Sequence, residues 1–189
     1  MTEAPAEFFK RYSRELFSIL NGIDAAEFAS FIEVLKKSYE DDAQVFVCGN
    51  GGSASNASHL ACDINKGVSY GRKKRFRMIS LSDNIPTIMA YANDVSYDDI
   101  FMEQLKNYMN PNDLLIGISG SGNSENILKA IRYGNENGAM TFGICGYGGG
   151  KLKDIAQKFL VVNSEDMQKV EDAHLIIFHT VMQWFMMDL

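Results

Sequence analysis

The sequence predicts an α/β fold, a three-layer doubly wound parallel sheet of about five strands with an N-terminal helical pair. Two observations lead there. Strand-like apolar runs alternate with helical segments along most of the 189 residues, the pattern of a parallel sheet covered on both faces. Two of those runs also break abruptly into glycine, serine and asparagine before a helix begins, in QVFVCGNGGSASNASH (44–59) and LLIGISGSGNSEN (114–126). Loops at the carboxyl ends of parallel strands are where such sheets bind ligands.

In chain order, helices are expected at 5–20 and 25–40, the second with Phe28, Phe31, Ile32 and Leu35 at i, i+3, i+4, i+7 spacing. A strand at 44–48, a helix at 54–66, a strand at 76–81 and helices at 84–92 and 98–109 follow. The remainder reads as strand 113–118, helix 124–137, strand 140–145, short helix 151–157, strand 158–162 and long helix 165–187. Three prolines and no low-complexity stretch leave no visible linker, so 1–189 reads as one domain, a helical extension (1–40) and an α/β core (41–189). The segment LIIFHTVMQWFMM has too many large residues around its circumference for a simple surface helix, so it and the N-terminal pair are expected to pack between subunits.

Composition narrows the function. With 46% hydrophobic and 22% charged residues the chain can bury one good core, and a net charge of −6 disfavours nucleic-acid binding. The basic run Arg72–Arg75, continuing to Arg77, reads as a solvated or subunit-facing patch. No apolar stretch reaches about 18 residues and MTEAPAEFFKRYS lacks a signal-peptide core, so no membrane contact and a cytoplasmic location are expected. Cys48, Cys62 and Cys145 are scattered and read as reduced core thiols.

The two loops suit a phosphorylated small molecule. Glycine lets backbone approach an oxyanion, the first N–H groups of the next helix lack intrahelical partners, and Ser53, Ser55, Ser119, Ser121 and Ser124 add hydroxyls. Neither loop has the lysine of a nucleotide-binding P-loop. Gly49–Ala54 fits G-x-G-x-x-A, but the next strand ends near Asp83, beyond the spacing of a dinucleotide fold, so no nucleotide cofactor is expected.

Only three histidines are present. His59 and Asp63 are four apart and share a helix face, as metal ligands or as an ordinary ion pair. On the last helix Glu171 and His179 are about 80° apart around the axis and about 12 Å along it, too far for one metal unless Glu171 reaches along the helix or a neighbouring subunit contributes. His174 reads as a hydrogen-bonded, partly buried residue.

Together CGNGGSASNASHLACD, YAND (91–94), LIGISGSGNSENILKA (115–130) and VEDAHLIIFH (170–179) resemble the sugar isomerase (SIS) domain family, and within it the phosphoheptose isomerases. The resemblance implies a flavodoxin-like SIS fold and an aldose–ketose isomerase, usually homotetrameric with shared sites, that converts sedoheptulose 7-phosphate to a heptose 7-phosphate for cell-envelope glycans. It implies phosphate binding by Ser119, Gly120, Ser121 and Ser124, sugar binding by Asn50, Gly51, Gly52 and Ser53, and closure by Asn93 and Asp94. By the same resemblance Asp63 is the base, His179 the acid, and His59, Asp63, Glu171 and His179 a zinc set, with Glu171 also facing substrate.

Three positions depart from the family pattern: Asp63 replaces a glutamate, Gly120 a threonine and Glu171 a glutamine. Asp63 keeps a carboxylate with about 1.5 Å less reach. Besides the heptose isomerase, two alternatives therefore stand: an isomerase for another phosphosugar, and a non-catalytic protein that senses a phosphosugar or binds a protein partner.

Overall fold

The structure, a computed structural model, describes residues 3–189. Two helices come first, α1 (Pro5–Asn21) and α2 (Ala25–Glu40). Pro5 suits the first turn of α1, where its missing N–H costs nothing, and the Asp24 carboxylate caps α2 by accepting from Ala26 N and Glu27 N. Then come β1 (Gln44–Gly49), α3 (Gly52–Cys62), a π turn (Asp63–Val68), β2 (Arg77–Ser80) and α4 (Ile85–Asp94). After a 3₁₀ turn (Tyr97–Asp99), α5 (Ile100–Tyr108), β3 (Leu114–Ser119), α6 (Glu125–Glu136), β4 (Met140–Cys145), α7 (Gly150–Ile155), β5 (Lys158–Val161) and α8 (Met167–Asp188) complete the chain.

All five strands are parallel, in the order β2-β1-β3-β4-β5. This is the expected flavodoxin-like doubly wound sheet. β3 lies at its centre and every residue of it is buried, as a strand covered on both faces requires. One face packs Val45, Val47, Ile116, Phe142 and Ile144 beneath α2, α3 and α8, while the other packs Phe46, Leu115, Phe101, Ile127 and Ile131 beneath α5 and α6. A buried side chain of this size contributes about 2 kcal/mol.

Two expected helices are subdivided. The segment 54–66 starts two residues early and widens into the π turn at Asp63, and 98–109 begins as a 3₁₀ turn. Cys62 corrects a further expectation: Cys48 and Cys145 are buried, but Cys62 is exposed on α3. The basic run finds a structural use. Arg72 donates to Val68 O and Met186 O, and Lys74 to Glu40 O, cations placed at the carboxyl ends of the π turn, α8 and α2. No helix of the described residues is long and apolar enough to cross a membrane.

Candidate active site

β1 and β3 are neighbours, yet their following connections run in opposite directions across the sheet. Their carboxyl ends therefore flank a crevice, and both serine loops open into it. The result is a cavity of about 240 Å³. Asn50, Gly51, Gly52 and Ser53 line it from the first loop, Ser119, Gly120, Ser121 and Ser124 from the second, and Met167 and Glu171 of α8 close it.

Each loop is shaped by a glycine that no other residue replaces easily. Gly51 precedes α3 with φ +53 and ψ −123, outside the regions open to side-chain-bearing residues. Gly52 lies under the Glu171 carboxylate: a Cβ there would be 2.2 Å from Oε2. In the second loop Ser119 Oγ donates to Ser124 Oγ at 3.3 Å, and Gly122 N closes the turn onto Ser119 O at 2.9 Å.

A third loop, CGYGGG (145–150), supports the second from behind. Gly146 N donates to Gly120 O at 2.8 Å, Leu152 N to Gly122 O at 2.9 Å and Lys151 N to Asn123 Oδ1 at 3.2 Å. Gly120 itself faces α8, where a Cβ would meet Met167 Sδ at 2.4 Å. The thioether thus fills the space a larger residue at 120 would need.

Two residues that sequence reasoning missed tie the loops together. Asn50 and Asn126 pair reciprocally through their amides at 2.8 and 2.9 Å, and Tyr97 OH donates to Asn50 Oδ1 at 2.9 Å. Asn126 is the last residue of the segment LLIGISGSGNSEN and lies in the first turn of α6, the only signal available for it. Asn93 and Asp94 end α4, bonded to each other at 2.7 Å, and do not line the cavity; Tyr97, three residues beyond Asp94, touches the first loop through Asn50.

The second constellation lies farther along α3. His59 Nε2 and His179 Nε2 are 2.8 Å apart, and Asp63 Oδ2 is 3.2 Å from the first and 3.6 Å from the second. Despite that proximity, neither ring meets hydrogen-bond geometry, so this buried oxygen has no hydrogen-bond partner among the described residues. A buried unpaired carboxylate oxygen is costly. Three donor atoms within 4.8 Å of one another suit a metal ion, and two imidazoles with a carboxylate are a donor set zinc accepts. Glu171 is not of this group; it lies over Gly52, two turns before His179 on α8.

His174 belongs to neither cluster. It is fully buried and its Nε2 bonds Cys145 O at 3.1 Å. Burial pushes its pKa down from 6.5 to about 4, opposed by the bond to Cys145, so it is neutral near pH 7 and stays a packing residue, as its sequence context suggested.

A family model described as SIS domain matches residues 8–146. The chain belongs to the SIS domain family. Its relatives include phosphoheptose isomerases of Helicobacter pylori strain P12, 36% identical over 78% of this chain and 77% of the relative, and Clostridium acetobutylicum, 38% identical over 80% and 77%. One from Geobacter sulfurreducens is 34% identical over 90% of both chains. Among solved structures, phosphoheptose isomerase GmhA from Neisseria gonorrhoeae superposes with a TM-score of 0.88 at 22% identity, covering 96% of this SIS domain and 98% of that chain. The SIS domain of this chain is thus of the phosphoheptose isomerase type.

Proposed function

We propose that this SIS domain is an aldose–ketose isomerase that interconverts sedoheptulose 7-phosphate and D-glycero-D-manno-heptose 7-phosphate in cell-envelope heptose biosynthesis. The observation that supports it most is the joining of two sites by one helix. α3 opens at the serine-lined cavity and ends beside His59, Asp63 and His179. From Gly52 to His59 the helix rises about 10 Å, a span suited to an extended sugar phosphate.

Aldose–ketose exchange moves a proton between neighbouring carbons through a cis-enediol and shifts protons on the adjoining oxygens. Asp63 is the base: its Oδ2 is free of hydrogen bonds and shielded from water. His179 is the acid for the oxygen protons, and His59, in contact with both, holds the pair in register. Ser119, Ser121 and Ser124 bind phosphate and Asn50 to Ser53 the sugar hydroxyls, and Asn93 and Asp94, outside the cavity lining, would close over the substrate only by a movement of the end of α4. Glu171, at the cavity wall, accepts from substrate hydroxyls.

His59, Asp63 and His179 would hold a zinc ion, with Glu171 available only after leaving Gly52. Bound there, zinc would act as a Lewis acid toward the substrate oxygens. Assembly into a homotetramer goes with this reading, since Phe8, Phe9 and Phe17 on α1 and Met186 and Met187 on α8 are exposed. So does a cytoplasmic location, since all three thiols are free. An isomerase for a different phosphosugar is the second reading, favoured by the short side chain of Asp63.

The test is turnover of sedoheptulose 7-phosphate by purified protein, with and without zinc, followed by formation of the aldose. Conversion of another phosphosugar alone would select the second reading; binding without conversion across a panel would leave a sensor or partner-binding protein and overturn both.

A further inference from the structure

Among the described residues the helical backbone takes the π form only at Asp63–Val68. There Ser69 N donates to Ile64 O, five residues back, at 3.2 Å. Turns of this width are rare and need outside support, and they recur at functional sites. Here the support comes from strand β2 on one side and α8 on the other.

β2 is an edge strand, and Met78 turns its backbone N–H and C=O away from the sheet. Asn65 takes both: its Nδ2 donates to Met78 O at 2.7 Å and its Oδ1 accepts from Met78 N at 3.3 Å, as a neighbouring strand would. Ser69 adds a second tie, donating to Ile64 O at 2.9 Å and accepting from Phe76 N at 3.1 Å. Across the turn, a Cβ on Gly67 would lie 2.8 Å from Met182 Sδ, and Met182 shares the α8 face of His179, three residues earlier.

We propose that Asn65 is a positioning residue for Asp63. Its two bonds to Met78 hold the π turn against the sheet and so fix where the Asp63 carboxylate sits beside the rings of His59 and His179. An aspartate has few side-chain torsions with which to absorb a backbone shift, so its carboxylate follows the main chain. The kinetic consequence rests on the isomerase reading; the geometric one does not.

The experiment compares wild type with Asn65→Ala, which removes both bonds, and Asn65→Asp, which keeps only the acceptor for Met78 N. Misplacement of about 1 Å can cost on the order of a hundredfold in rate, so Asn65→Ala should lower kcat at least tenfold with KM within twofold, and Asn65→Asp should fall between. In histidine-labelled protein the ring resonances of His59 and His179 should move in Asn65→Ala at constant pH, while those of buried His174 stay.

Unmoved His59 and His179 resonances, or wild-type kcat in Asn65→Ala, overturn the proposal. If wild type itself turns over no sugar phosphate, the isomerase reading fails and the resonances alone decide the positioning role. Should Asn65→Ala not fold, Asn65→Asp supplies the same readouts at smaller amplitude.

Discussion

The Glu171 carboxylate stands where a side chain on residue 52 would begin, 2.2 Å from the Cβ that Gly52 lacks. The carboxylate is the free end of a flexible chain, so Gly52→Ala should fold normally while driving it out of the cavity. Glu171→Ala removes the same group. Each variant should bind sedoheptulose 7-phosphate about tenfold more weakly, the scale of a hydrogen bond to a charged group. Because both act through one carboxylate, the double variant should lose no more than either single one. Calorimetric titration of all four proteins checks this, and additive losses would show that residue 52 and Glu171 act separately.

Asp63→Asn should reduce turnover by about 10²–10⁴-fold, the usual worth of a general base, because the amide preserves shape but accepts no proton. Ligand affinity should stay within about twofold, since Asp63 is outside the serine-lined cavity. His179→Gln should behave alike. A variant that keeps wild-type kcat would remove that residue from the proton-transfer role; equilibrium binding measured beside the rate separates the two effects.

The third loop makes a prediction about the second. Gly150 has φ +54, and a Cβ there would lie 2.5 Å from the backbone oxygen of Ser121, which cannot swing aside as a side chain can. Gly150→Ala should therefore cost about 1–2 kcal/mol of stability from the left-handed backbone and also weaken inhibition by inorganic phosphate, since the loop must shift. Ser121→Ala should weaken phosphate by about 1.5 kcal/mol and, since the one bond it loses within the protein is the exposed one accepted from Asn123 N, leave stability within about 0.5 kcal/mol. Thermal melts paired with inhibition constants distinguish them; Gly150→Ala with unaltered phosphate inhibition would mean the third loop does not shape the second.

The sheet and the meeting of the two serine loops at one crevice were legible in the sequence because both depend on local pattern. A six-residue apolar run such as LLIGIS, bounded by turn residues, suits a buried strand, and glycine with serine after it marks a tight strand-to-helix turn. The π turn was not legible: Asp63 and His59 keep ordinary helical spacing, and the widening starts at Asp63 and runs on beyond it. Asn65 reads as one more polar residue on a helix because its partners are main-chain atoms of β2. Tyr97 and Asn126 escaped for a related reason, since each acts through the amide of Asn50, 47 and 76 residues away. Glu171 was expected to serve both the substrate and the metal set, but it lies at the cavity alone, which depends on how α8 crosses α3.

His174 should make stability depend on pH. Its folded pKa is about 4 against 6.5, so as pH falls below about 6.5 the unfolded chain takes up a proton that the folded one refuses. Stability is then lost down to about pH 4 and the loss levels off below, a total on the order of 3 kcal/mol. Carboxylates titrate in the same range, so the informative quantity is the difference between wild type and His174→Gln in urea midpoints from pH 8 to pH 4. A difference that does not change with pH would place the ring in contact with water.

The hydrogen bonds at the sheet's margins also limit how copies of the chain can meet. Asn65 occupies Met78 on one margin, and on the other the Glu27 carboxylate accepts from Val161 N at 2.8 Å. Main-chain groups that are already engaged offer no template for an incoming strand. Growth into a continuous ribbon by strand pairing is thereby discouraged at both margins, while large apolar side chains stay exposed on helices α1 and α8.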